Sequence, residues 1–200
     1  PREPELEVSH ESAEYVMALR GDPGAATSLL STSIQAAMLL GRILDPRQVD
    51  TSRGVYGKRI FAFTDDLDVT NRFYNNLQDA EGLDSWNRPQ PNRAPLASLR
   101  SPSAGPDNAQ RFLAGQSWQI CEDIGHPVGL AQPLQISRTS SQDVGVTQGS
   151  DIVVATAALE VGYNDPEVGA VMQHKAPRDW AAFVQRKGRA GRRRSMRPWT

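Results

Sequence analysis

The chain has 200 residues, 38% hydrophobic and 22% charged, which is apolar material for one globular domain with at most an appended segment. Such a composition excludes collagen-like, disulfide-framework and wholly disordered classes. The longest apolar run, around Ile152 to Leu159, falls far short of the roughly 20 residues that a membrane span requires. A single cysteine, Cys121, excludes an internal disulfide, and His10, His126 and His174 are too scattered for a zinc site. The chain opens on Pro1 without a basic, apolar and small-residue leader, so it is expected to be a piece or processed product of a cytoplasmic protein.

Net charge −1 hides an asymmetry, because residues 186–200 carry seven Arg and Lys side chains and no acid. The remainder of the chain is correspondingly acidic, so the positive charge is concentrated at one end. An anionic partner there is the natural expectation, against a plain solvated tail for Arg193, Arg194 and Arg197.

In chain order, the first helix is predicted over 9–20, with Ser9 as cap, Tyr15, Val16 and Leu19 as its stripe, and Gly21-Asp22-Pro23-Gly24 as its stop. A second is predicted over 28–44, where Leu30, Ile34, Ala37, Met38 and Leu44 recur at helical spacing. Ile60-Phe61-Ala62-Phe63 is a short continuous apolar run, the pattern of a strand buried on both faces of a parallel sheet. Thr64-Asp65-Asp66 then caps a helix over 67–80 that stops at Gly82. Five prolines between 84 and 106 predict a surface insertion. A helix over 107–123 follows, with Cys121, Trp118 and Phe112 read as core or docking side chains.

Strands are predicted at 134–137, 151–156 and 170–173, with a short helical turn over 157–161 and His174 and Lys175 at the surface. A final helix over 179–187 has Asp179 as cap, Trp180, Phe183 and Val184 inward and Gly188 at its end. Strands alternating with helices at these lengths predict an α/β parallel sheet flanked by helices.

The most informative stretch is Gln185-Arg186-Lys187-Gly188-Arg189-Ala190-Gly191-Arg192. Its Gly-spaced arginines set two guanidinium forks on a backbone that can approach a ligand closely, which suits phosphate. Taken with Asp151 to Pro166 upstream and Phe61-Ala62-Phe63-Thr64-Asp65-Asp66 before it, this resembles the second RecA-like domain of superfamily 2 helicases. The three segments match that family's motifs VI, V and IV in order. The Leu159-Glu160-Val161-Gly162 and Arg189-Ala190-Gly191-Arg192-Arg193 wording is most similar to the Lhr-like branch, and more distantly to helicases of bacterial defence systems of the DISARM type.

The resemblance implies a RecA-like domain over 54–200 preceded by helical connector or accessory residues 1–53. It implies that Arg189 and Arg192 are arginine fingers on a γ-phosphate, and that Gln185 contacts nucleotide or attacking water. Gly162, Asn164 and Gly188 would then lie against the nucleotide, although many relatives have Asp at the Asn164 position. Thr64, Asp65 and Thr156 would contact nucleic-acid phosphates. In the long stretch between motifs IV and V, Ser137 to Ser141 stands for the family's phosphate-contacting loop, with Arg138 or Ser140 on phosphate. ATP and Mg2+ are the implied cofactors, and single-stranded DNA or RNA and an upstream first RecA-like domain the implied partners.

No G-x-x-x-x-G-K-[ST] loop occurs, and Gly21 to Ser28 lacks its lysine. Nor does an Asp-Glu pair end a buried strand. Those parts belong to the family's first domain, so this chain alone is expected neither to hydrolyse ATP nor to unwind. The alternatives are a nucleic-acid-binding module without turnover and a protein-interaction scaffold.

Overall fold

The computed structural model describes residues 14–20, 28–102, 108–126, 128, 132–140, 146–159 and 163–200. Its elements are α1 (Leu29–Ile43), β1 (Arg59–Phe63), α2 (Leu67–Ala80), α3 (Leu96–Leu99), α4 (Asn108–Leu113), α5 (Gln119–Asp123), β2 (Ile136–Thr139), β3 (Ile152–Ala155), a 3-10 turn (Ala157–Leu159), β4 (Val168–Gln173) and α6 (Trp180–Lys187). The four strands form one parallel sheet in the order β2-β3-β1-β4. This is the α/β parallel sheet with flanking helices that the strand and helix pattern predicts. Among the described residues no helix is long and apolar enough to cross a membrane.

The pleat sorts the strand side chains into two cores. Ile60, Ala62, Ile152, Val154, Ala170 and Met172 face α1 and α2. Phe61, Phe63, Val153, Ala155, Val168 and Val171 face the other way, onto Leu159, Tyr163 and Ala190. Helix α1, expected as part of a connector, buries Ala37 and Met38 completely in the first of these cores. The sheet edge beside β4 passes close to the turn before β1. A Cβ on Gly169 would sit 1.7 Å from the Tyr56 carbonyl oxygen, and Gly57 opposite it has φ +73. Only glycines let the two backbones meet there.

Caps account for where the helices begin. Ser28 accepts a hydrogen bond from the Ser31 amide, and Asp66 accepts from the amides of Asp68 and Val69. Asp179 accepts from the Ala182 amide. Each starts its helix within a residue of the predicted position.

Three expectations are corrected. Residues 14–20 are extended and not helical: Tyr15 bridges Trp199 in parallel and stacks on its ring at 4.5 Å. Residues 9–13 of that expected helix, and its stop at 21–24, lie outside the described residues. The expected helix over 107–123 is broken into α4 and α5 at Gly115, whose φ is +66. The break lets Trp118 bury against the Arg42 guanidinium, 6.0 Å from its ring centroid, and leaves Phe112 exposed. Finally, the proline-rich stretch is not wholly external, since Ala97 of α3 is fully buried in the first core.

A buried ion pair locks the helical layer to the sheet. Arg42 of α1 donates to both Glu81 carboxylate oxygens at 2.7 Å, and Glu81 also accepts the Leu134 amide at 3.0 Å, just before β2. Both side chains are fully buried. Removing one partner strands the other charge, so Arg42→Met is expected to destabilise the domain by about 3–5 kcal/mol. The check is the urea midpoint at unchanged slope.

Asp151 performs a similar task at the entry to β3, accepting the Gln135 amide at 2.7 Å and pairing with Arg47 at 3.0 Å. Burial outweighs both contacts and pushes its carboxyl from 3.8 up to about 6. Between those values the folded chain holds a proton that the unfolded chain has released, so this group's contribution to stability falls as pH rises through that window. Asp151→Asn is expected to remove that fall, on the order of 3 kcal/mol, seen by comparing urea midpoints of parent and variant from acidic to neutral pH.

Candidate functional site

The carboxyl ends of parallel strands are where α/β domains bind ligands, because the loops that follow them converge there. Here the end of β1 runs into Thr64 and Asp65, that of β3 into Thr156, and that of β4 into His174. Backbone hydrogen bonds align them: the Thr64 amide donates to the Ala155 carbonyl at 2.9 Å, and the His174 amide to the Phe63 carbonyl at 2.9 Å.

Helix α6 is pinned to this end by charge. Arg186 is buried, donates to Asp65 at 2.5 Å and lies 5.4 Å over the Phe63 ring. That choice of face turns the expected inward stripe outward, since Trp180 is 76% and Val184 47% exposed. Arg186 thus covers Asp65. No periodicity could signal a pair 121 residues apart.

Beyond α6 the arginine run folds back on itself. Gly188 caps the helix, donating to the Val184 carbonyl at 2.9 Å. Gly191 follows with φ +74, packed so closely on Pro198 that a Cβ would meet the ring at 2.6 Å. From this tight backbone Arg189 donates to the Tyr163 carbonyl at 2.7 Å, and Arg192 to the Asn164 side-chain oxygen at 2.6 Å and the Gly188 carbonyl at 3.1 Å. The structure therefore brings Arg189, Arg192, Asn164 and Gly188 together. Gln185 stands exposed on α6. Gly162 lies outside the described residues.

The expected phosphate contacts are rearranged. Thr64 is completely buried, and its hydroxyl bonds Thr70 and the Asp66 carbonyl, so as folded it offers nothing to a phosphate. Asp65 is committed to Arg186. The Asp68 and Val69 amides at the start of α2 are already taken by Asp66, whose carboxyl those same amides, Val69 first and then Asp68, hold below the usual range. Thr156 remains half-buried at the end of β3. Arg138 is on an edge strand and not in a loop, exposed, donating to Asn71 at 2.5 Å and lying 5.5 Å over Tyr74. Ser140 is buried and Ser141 lies outside the described residues.

His174, expected at the surface, is buried and shares a 2.8 Å hydrogen bond with the Ser33 hydroxyl of α1. Burial, then the neighbouring Lys175, lowers its pKa, so the neutral ring sits beneath the strand ends. Among the described residues no three His, Cys, Asp or Glu side chains gather to hold a metal ion.

This geometry defines a class, a parallel α/β domain whose carboxyl end carries a doubly glycine-spaced arginine run. The model of the helicase conserved C-terminal domain matches residues 135–194, from the entry to β2 through Arg194. Among solved structures the chain is similar to S. cerevisiae Dbp5 L327V bound to RNA and ADP BeF3, at 12% identity and a TM-score of 0.45, over 94% of this chain and 34% of that one. It is also similar to Mss116p DEAD-box helicase domain 2 bound to an RNA duplex, at 13% identity and a TM-score of 0.41, over 94% of this chain and 52% of that one. The chain thus spans about a third of the length of the Dbp5 chain. No curated protein matches it.

The Arg186–Asp65 pair is nearly dry on the arginine side, at 5% side-chain exposure. Asp65→Asn is expected to cost about 1–3 kcal/mol, more than an ordinary surface pair, because it takes a charged partner from a buried guanidinium. Thermal unfolding of the variant measures it; a loss within that of surface substitutions would mean that α6 is held by other contacts.

Proposed function

We propose that the chain is the C-terminal motor half of an ATP-dependent nucleic-acid helicase or translocase of superfamily 2, nearest to the Lhr-like branch. Residues 54–200 form its RecA-like domain, with residues 1–53 joining it to a first RecA-like domain. The observation that carries this reading is the state of Arg192 within the segment that matches the helicase C-terminal domain. Its guanidinium rests on two neutral oxygens, of Asn164 and Gly188, and pairs with no carboxylate among the described residues. A charged phosphate oxygen outcompetes a neutral amide oxygen for such a donor, which it would not readily do for a carboxylate. Asn in place of the commoner Asp is therefore compatible with an arginine that can be released to a ligand.

The residues present fit a nucleotide phosphate but not its metal. Arg189 and Arg192 would meet the γ-phosphate of ATP held by the first domain, with Gln185 turned to the attacking water and Asn164, Gly162 and Gly188 lining the approach. Mg2+ would be held by the first domain. The bound nucleotide supplies the phosphoanhydride bond whose hydrolysis drives the cycle. Thr156 and Arg138 would hold the backbone of single-stranded DNA or RNA, contacts that fix register without reading sequence. Thr64 and Asp65 act one step removed, by holding the turn from β1 into α2 and anchoring α6.

Two measurements test the proposal. In the protein with both domains, Arg189→Ala and Arg192→Ala are each expected to lower ATP turnover by roughly 10³-fold while nucleic-acid binding persists. Unchanged turnover overturns the arginine-finger roles. The chain itself is expected to bind a labelled single-stranded oligonucleotide with a log–log salt slope of about −0.7 per phosphate neutralised, reduced in Arg138→Ala. No binding at low salt removes the nucleic-acid contacts and leaves the scaffold alternative.

A further inference from the structure

The sheet does not end at β4. Residues 198–200 lie alongside it, with the Val171 amide donating to the Trp199 carbonyl at 2.8 Å and the Trp199 amide to the Gly169 carbonyl at 2.9 Å. Residues 15–17 then lie alongside 198–200: the Tyr15 amide donates to the Pro198 carbonyl at 2.9 Å, the Thr200 amide to the Tyr15 carbonyl at 2.8 Å, and the Met17 amide to the Thr200 carbonyl at 2.8 Å. Among the described residues the outermost extended segment is thus 14–20.

Its pairing leaves a definite edge. Tyr15 and Met17 spend their backbone groups inward, so the alternation of an extended chain turns those of Val16 and Ala18 outward. Neither makes a backbone hydrogen bond among the described residues. A free edge flanked by apolar side chains is a template for another strand, and natural sheets usually blunt it. The opposite edge is blunted: on β2 the Asn87 side-chain amide holds the Ile136 carbonyl at 2.8 Å, and Arg138 puts an exposed charge on the strand. The 14–20 edge instead exposes Val16 at 62% and Leu19 at 55%.

Beside this edge runs an apolar groove of about 480 Å3 between the 14–20 segment, α1, β4 and α6. Its lining includes the cations Arg20 and Lys175 and no Asp or Glu side chain. Neither cation makes an ion pair among the described residues. Free backbone groups call for an extended main chain, the groove for apolar side chains, and the two unmatched cations for carboxylates.

We propose that the edge formed by residues 14–20 is a docking surface for an extended peptide, in which apolar side chains alternate with acidic ones, that adds to the sheet as a further strand. Its main chain pairs with Val16 and Ala18, its apolar side chains enter the groove, and its carboxylates meet Arg20 and Lys175. This surface is separate from Arg189 and Arg192 and does not depend on whether the chain serves a motor.

The test is selection of phage-displayed random short peptides on the 200-residue chain, followed by fluorescence anisotropy with the enriched sequence. Enrichment of apolar sequences bearing Asp or Glu is expected. Ala18→Pro removes an outward amide without touching the inward pairing, and is expected to weaken that peptide by roughly tenfold or more. Arg20→Glu with Lys175→Glu, both at the rim, is expected to switch the enriched charge from acidic to basic. This charge reversal stands as a test even if Ala18→Pro disturbs the edge. The proposal is overturned by no enrichment, by enrichment indifferent to the double charge reversal, or by affinity untouched in a folded Ala18→Pro. A concentration-dependent dimer in sedimentation that Ala18→Pro abolishes would overturn it too, since the occupant would then be a second copy of the chain.

Discussion

From Ile60 to Phe63, strand β1 has no access to solvent on either face or either edge, and the rest of the domain is arranged around that constraint. β3 bonds one side of it and β4 the other, while alternate side chains enter two separate cores. A strand so enclosed needs apolar residues at consecutive positions, which Ile60 to Phe63 supply. Its direction then decides where Thr64 and Asp65 emerge. From there the chain turns into α2 under a cap that takes the Asp68 and Val69 amides, so the β1–α2 turn is a structural joint more than an exposed anion site.

That joint also anchors the arginine run. Arg186 reaches down from α6 to Asp65 and lies on the Phe63 ring, coupling the end of the central strand to the helix that leads into Gly188 and Gly191. Two left-handed or closely packed glycines then bend the backbone so that Arg189 and Arg192 return to residues 163–164. At the other end of the sheet, Arg42, Glu81 and the Leu134 amide bind α1, the end of α2 and the start of β2 in one buried contact. Charge thus fixes orientation at both ends of a core whose hydrophobic packing is not itself directional.

The elements most legible in sequence are those with a local cause. Ser28, Asp66 and Asp179 each offer a side-chain oxygen to amides two or three residues on, so α1, α2 and α6 start where expected. β1 and β3 are read from continuous apolar runs. Residues 14–20 mislead because Tyr15, Val16 and Leu19 satisfy a helical stripe, yet the Tyr15 ring finds Trp199 and the backbone finds residues 198–200, partners nearly the whole chain away. Residues 107–123 mislead because a helical stripe hides Gly115, where a left-handed turn frees Trp118 to cover a buried arginine.

The candidate site divides in the same way. The sequence by itself determined the α/β class, the strand that leads to the site and the chemistry of the Gly-spaced arginines, because residue type and short-range spacing suffice for each. Only the tertiary structure decided that Thr64 is buried and bonded inward, that Arg186 serves Asp65, that Asn164 takes the Arg192 guanidinium, and that Trp180 faces solvent. Each of these depends on which of several chemically equivalent partners comes within hydrogen-bonding distance. Distance across a fold is set by packing, which no local pattern of side chains encodes.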